Sequence, residues 1–408
     1  MRHAPTYDAT TNGQRLANLR RRRRLTQEQL GLAVGYATAT IKAIEQGRRP
    51  LDRGSVILAF ARALQCAPTD ITGVPYLPDA DPEAEHASST IAAVHRALLM
   101  HGQVPRLAEQ DVAAVDLDAL AGRVRQAMIY RRDVTLARSG ELLPGLLRDL
   151  QIAAHTLTGD QQRRAYRLLC YGYKCALSLA RSLGHAAITT MAAERCRLAA
   201  RQTDDPLLAA AAEWTWADEF IRVGEHDAAA DIIDQALNDV SGAPADATQP
   251  EVLSLQGAFA LKAALNSARA ADAGGMTQGL EHAQRAADLL RADRDDYGLS
   301  FGPANVAIWS VSMQVELGRG REAVRRGERI TLPTGYSGQR RSTLQIDLGR
   351  AHYMNGQREQ ALDCLLAAEQ IAPQMTRLHP AVRETVGAMI RTAPRGRLAE
   401  LGARVGVL

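Results

Sequence analysis

Aromatic side chains make up only 4% of the 408 residues, with three Trp and four Phe. Sheet-built cores lean on aromatic and β-branched residues, whereas helices can pack closely through small ones, so an all-α fold is expected. The five cysteines, Cys66, Cys170, Cys175, Cys196 and Cys364, are odd in number and spread along the chain. Without a Cys-x-x-Cys pair they fit neither a disulfide framework nor a zinc site, and buried thiols are expected. No apolar run reaches the roughly 18 residues that span a bilayer, and no leader opens the chain, so a cytoplasmic protein with no membrane partner is expected. His-Glu-x-x-His, a phosphate-cradling glycine loop and Gly-x-Ser-x-Gly are all missing, and the ten histidines are scattered. Catalytic residues, metal ligands and cofactors are therefore expected to be none, and an enzyme is not expected.

Positive charge, by contrast, is gathered in one place. Residues 1–73 hold twelve Lys and Arg against five Asp and Glu, a net of +7, while the whole chain is +4 and the remaining residues are therefore −3. A basic segment ahead of a mildly acidic remainder is the footprint of a nucleic-acid binder. Its densest part is the run Arg20 to Arg24.

The same segment has a helical pattern. Leu30, Ala33 and Val34, then Ile41 and Ile44, recur at three- and four-residue steps on either side of Gly35, which reads as helix, tight turn, helix. Thr26 with Gln29 forms a capping box, Gly35 a left-handed C-cap, and Thr38 is the expected cap of the second helix. Supporting helices are expected over Gly13 to Arg23 and Gly54 to Leu64, carrying Leu16, Leu19, Val56, Phe60 and Leu64.

With Gln27, Gly35, Ile41, Ile44, Glu45-Gln46-Gly47 and Arg20 at these spacings, the segment resembles the phage-repressor-like helix-turn-helix domains. The resemblance implies a five-helix DNA-binding domain over 13–73, with an internal ion pair between Arg20 and Glu45. It also implies that the second helix enters the major groove of double-stranded DNA, Thr38, Ala39, Lys42 and Ala43 facing bases while Gln27, Thr40, Arg48 and Arg49 meet phosphates or adjacent bases. Two alanines offer only contact to a thymine methyl, so direct readout is lean.

A linker is expected over 74–89, VPYLPDADPEAEHASS, from its prolines and acids. From residue 90 to 408 the pattern is repetitive: a helix, a glycine turn, an Ala-rich helix. Leu348-Gly349, Gly356, Ala361, Leu365, Ala368 and Pro373 fall at 34-residue tetratricopeptide spacing, so 342–375 resembles one such repeat. Gly318 and Ala323, Gly224 and Ala229, and Gly184 and Thr189 repeat the five-residue offset of Gly356 and Ala361. Irregular pairs are expected over Leu136 to Leu157, turning at Gly140, and Val252 to Leu290, turning at Asp272 to Met276. Five or six pairs would stack into an α-solenoid.

Glycine register places Tyr171, Lys174, Trp214, Asp218, Arg222, Asn305, Arg350 and Tyr353 on the inner, concave face. That mixture suits an extended peptide or another small effector. The combined architecture is similar to cytosolic regulators that bind signalling peptides, which implies a transcription regulator acting as a homodimer, its body setting the spacing of two heads. The alternative expectation is a protein-interaction scaffold with a DNA-docking head.

Overall fold

The computed structural model describes residues 11–73, 82–103, 115–242, 249–391 and 396–408. Every regular element among them is helical, apart from one isolated antiparallel bridge between Arg294 and Phe301, so the fold is all-α. None of the described helices is long and apolar enough to cross a membrane.

Five helices make the head: α1 (Asn12–Arg22), α2 (Gln27–Val34), α3 (Thr38–Glu45), α4 (Gly54–Leu64) and α5 (Pro68–Thr72). None is long enough to stand alone, so each depends on shared burial. Leu16, Leu30, Ile41, Ile44, Phe60, Leu64 and Ile71 supply it in one small core, with the Tyr36 ring stacked on Phe60 at 6.2 Å between centroids.

The second half of the linker expected over 74–89 is helical instead. Residues 74–81 lie outside the described residues, but α6 runs Pro82–Leu99 and takes in the rest. Proline costs a helix nothing in its first turn, where the missing N–H has no partner to lose, and Glu83 and Glu85 favour the positive N-terminal end.

Six helix pairs follow: α7 (Leu117–Asp133) with α8 (Leu136–Thr156), α9 (Gly159–Ser182) with α10 (Ala186–Ala200), α11 (Pro206–Val223) with α12 (His226–Ser241), α13 (Gln249–Arg269) with α14 (Ala273–Leu290), α15 (Pro303–Glu316) with α16 (Gly320–Gly327), and α17 (Gly338–Met354) with α18 (Arg358–Ile371). Each helix packs chiefly on its neighbours in sequence, the arrangement of a helical-repeat array. The turn glycines Gly184, Gly224, Gly318 and Gly356 all adopt φ between 74° and 86°, and Thr189, Ala229, Ala323 and Ala361, five residues on, are fully buried. Small or short side chains at those places let the two helices of a pair approach.

Gly140 does not turn the chain. It lies inside α8, which runs unbroken through Pro144, and its bare Cα faces Thr90 of α6, where a Cβ would overlap the threonine side chain. The glycine is needed for that close helix crossing, not for a bend. After α18 come α19 (Pro373–Leu378), α20 (Pro380–Ile390) and α21 (Gly396–Arg404).

The two ends of the body meet. The Gln374 carbonyl oxygen accepts from the Leu136 backbone N–H at 2.8 Å, while its amide donates to Glu83 at 2.8 Å. Arg131 of α7 donates to the Gly298 carbonyl at 2.8 Å, in the short 3-10 turn Asp296–Gly298 before α15. Distant helices of the array are thus held together across the concave face.

Cys170 of α9 and Cys196 of α10 are buried with their sulfurs 3.3 Å apart, both as thiols.

Candidate nucleic-acid interface

The capping box at the start of α2 is complete: the Gln29 N–H donates to Thr26 Oγ1 at 3.1 Å and the Thr26 N–H to Gln29 Oε1 at 2.8 Å. Gly35 then takes the left-handed conformation, φ 72°, that closes the helix and reverses the chain. The cap of α3 falls one residue earlier than expected. Ala37, not Thr38, is the extended residue whose carbonyl accepts from Thr40 at 2.8 Å and Ile41 at 3.2 Å, and no side chain caps the helix. An uncapped start leaves N–H groups and the positive end of the helix dipole available to an anion such as a phosphate.

Thr38, Ala39, Lys42, Arg48 and Arg49 are exposed, and Thr40 and Ala43 half-buried, so one face of α3 and the turn after it lie open. Arg48 rests on the Gln46 side chain at 3.0 Å, and Arg49 lies 5.9 Å over the Tyr36 ring. Gln27 is placed differently. Half-buried, it donates to Glu45 Oε2 at 2.8 Å and so supports the interior.

Arg20 grips the same carboxylate with two parallel bonds, Nε to Oε1 at 2.6 Å and Nη2 to Oε2 at 2.9 Å, and its third nitrogen donates to the Leu25 carbonyl at 2.7 Å. Burial would raise the Glu45 pKa, but the bonds from Arg20 and Gln27 outweigh it and hold the carboxyl below its usual range. Arg21, Arg22, Arg23 and Arg24 remain exposed beyond this pair, and Arg23 also donates to the Leu64 carbonyl at 2.9 Å.

Residues 13–72 match a family model described as a helix-turn-helix domain. The head is a helix-turn-helix DNA-binding domain. No curated protein matches the chain.

This helix-turn-helix domain is seated on the body by polar contacts at many points. Arg350 of α17 donates to Asp52 Oδ2 at 2.8 Å and to Asp347 at 3.0 Å, with Glu316 at 3.9 Å, and all four side chains are buried. Burial lowers the Arg350 pKa, yet Asp52, Asp347 and Glu316 overcome it and raise the value well above the ordinary one. Glu316 also accepts from the Gly54 N–H at 2.9 Å, Glu384 from the Asn12 N–H at 2.9 Å, and Arg391 donates to the Gly47 carbonyl at 2.6 Å. Arg62 donates to the carbonyl of Gly224, at the C-terminal end of α11, where the helix dipole favours a cation.

Beside this seat, His379 accepts from the Ala381 N–H through Nδ1 at 3.2 Å and caps α20, which requires a neutral imidazole. Burial, with Arg350 nearby, depresses its pKa to about 4. The unfolded chain therefore binds the extra proton first, so stability should rise from about pH 4 to about pH 6.5 and level off above. The full shift is worth up to about 3 kcal/mol. Chemical denaturation at pH 4.5 and pH 7 should show the loss, and His379→Asn should remove most of this pH dependence; an unchanged profile in the variant would assign the loss elsewhere.

The residues expected along the concave face separate. Lys174, Trp214 and Asp218 line one chamber, and Arg222 lines a second cavity next to it. Arg350 is occupied in seating the head. Asn305 is buried: its side-chain amide donates to the Ser300 carbonyl and its backbone N–H to Asp293, while its Oδ1 has no partner. Tyr171 and Tyr353 are half-buried, each packed against a hydrophobic cluster of the body. Sequence reading passed over Lys262, a buried lysine inside the apolar run of α13, and a lone lysine in such a run is a signal that could have found it. Asp52, Glu316, Asp347, Glu384 and Arg391 carried no local signal.

Proposed function

We propose that this protein is a transcription regulator in which the body binds an effector and so fixes where the helix-turn-helix domain sits. The observation that carries the reading is the combination of an open, basic α3 face with a buried ionic seat joining the same domain to the repeat array. A change in body shape would move the head through Asp52 and Gly54, which are held directly by α17 and α15.

Two heads in a homodimer would have to meet successive major grooves about 34–36 Å apart, so small movements of each seat alter affinity. An effector that prefers one body shape by about 1 to 3 kcal/mol would change DNA affinity roughly 5- to 150-fold. The tetratricopeptide likeness of 342–375 and the turn register of its neighbours support the effector role.

Binding to DNA from the protein's own upstream region should be sequence-preferring and salt-sensitive. Lys42→Ala and Arg48→Ala should each weaken it, and each lost phosphate contact should reduce the slope of log affinity against log salt by about one. Fluorescence anisotropy across a salt series reads both quantities. Binding that is unchanged in both variants would dispose of the regulator reading.

A further inference from the structure

Between the six pairs lies a chamber of about 230 Å³. Each first helix of a pair contributes to its wall: Arg131 from α7, Lys174 from α9, Asp218 from α11, Lys262 from α13, Trp309 from α15 and Arg340 from α17. Arg181 and Trp214 complete the charged and aromatic lining. Five cations thus face one carboxylate.

That carboxylate is already taken. Asp218 binds Lys262 at 2.8 Å and Arg181 at 2.7 Å, with Lys262 also 3.5 Å over the Trp214 ring. Lys174 reaches only the neutral Tyr297 carbonyl at 2.6 Å, and Arg131 only that of Gly298. Arg340 lies 5.7 Å from the Trp309 ring centre. Among the described residues no carboxylate comes within ion-pair distance of Arg131, Lys174 or Arg340; Asp295, whose charge acts on Lys174 and Arg340, is hydrogen-bonded to Ser300. Burial and Arg131 pull the Lys174 pKa down to about 8.

Two donors on the same wall are buried with no acceptor at all, Arg131 Nε and Trp309 Nε1. Lys174 is buried, while Arg131 and Arg340 are half-buried; buried charges are ordinarily paired and buried donors ordinarily satisfied, so the missing element here is a negative group with acceptor oxygens. A second cavity adjoins the chamber. Larger, at about 1190 Å³, it shares Ser300 and Arg340 with the chamber, its wall carrying Arg132, Arg291 and Arg329 together with Glu281, Asp293 and Asp295.

We propose that the chamber binds a small organic oxyanion, its carboxylate or phosphate set between Arg131, Lys174 and Arg340 and its apolar part against Trp309 and Trp214. The proposal rests on the effector role given above and assigns the chemistry of the ligand. It also supplies the link to the head. Arg340 and Arg350 stand ten residues apart on α17, about 15 Å along one rigid helix, the first facing the ligand and the second holding Asp52.

Isothermal titration of the full chain with phenyl phosphate, phenylacetate, inorganic phosphate and benzyl alcohol tests this. At least one of the two aryl anions should bind, and the neutral alcohol should not. Phenyl phosphate the tighter of the two by tenfold assigns a phosphoryl ligand, and the reverse a carboxylate. Lys174→Met and Arg340→Met should each weaken the bound probe at least tenfold, without lowering the melting temperature of the unliganded chain, because each removes an uncompensated charge. The proposal is overturned if neither aryl anion binds, if benzyl alcohol binds as well, if both variants bind the probe unchanged, or if both melt several degrees lower without it. Upstream DNA binding, measured on the same preparations, separates the two readings: probes bound without DNA removes the regulator and keeps the chamber, whereas DNA bound without probes removes the chamber alone.

Discussion

Replacing Arg350 with alanine should cost about 3 to 5 kcal/mol and detach the helix-turn-helix domain from its seat. The guanidinium stands among Asp52, Asp347 and Glu316, and each carboxylate is about a tenth exposed or less. Removing the cation leaves three acids buried together, a state that water or protonation must relieve. Burial already raises the Asp347 pKa, even with Arg350 in place. Since only Asp52 belongs to the head, the least costly relief is for it to leave, and the contacts of Gly54 with Glu316 and Asn12 with Glu384 would weaken with it. Cross-linking or energy transfer between a head residue and a body residue should report greater separation, together with a lower melting temperature. Asp52→Asn in the Arg350→Ala background should lose less than the sum of the two single changes, because it removes one of the stranded acids. Unchanged head-to-body separation and melting temperature in Arg350→Ala would show that the seat is held by something else.

Arg20→Ala should lose a comparable amount, about 3 to 5 kcal/mol, but inside the head. Domains of some 60 residues hold only about 3 to 9 kcal/mol in total, so the head should be unfolded or nearly so and DNA binding should vanish. Most helical circular dichroism should survive, since the body contributes the greater part of the helices. Glu45 would be left with Gln27 alone. The paired replacement Arg20→Met with Glu45→Leu removes both charges and should recover much of the loss. If the single change leaves DNA binding intact, the pair does not support α3.

The head was readable because its determinants are local. The Thr26 and Gln29 box lies within four residues, Gly35 marks its own turn, and α4 begins and ends where its apolar stripe does. Thr38 misled by one position because threonine is a favoured cap while the turn geometry gives that place to Ala37, whose side chain cannot fill it. In the body the left-handed glycines were legible as a repeating offset. Gly140 was not distinguishable from them, since a glycine admitting a neighbouring helix and one reversing the chain are the same letter.

The inner face shows where local reading stops. Register alone brought Lys174, Trp214 and Asp218 to one chamber, but what each touches depends on residues far away in the chain. Arg350 meets an acid 298 positions distant, and its use there is set by how the whole body curls beneath the head. Nothing within one helix pair encodes that partner.

The Gln374 clasp on Leu136 and Glu83 gives the array a property that linear stacks lack. A linear stack can fray one unit at a time from either terminus, but here peeling away the first pair also costs contacts of the last. Strain introduced at any single pair is therefore shared around a loop instead of being dissipated at a loose tail. A small push from within would accordingly be carried to the rim where the head sits.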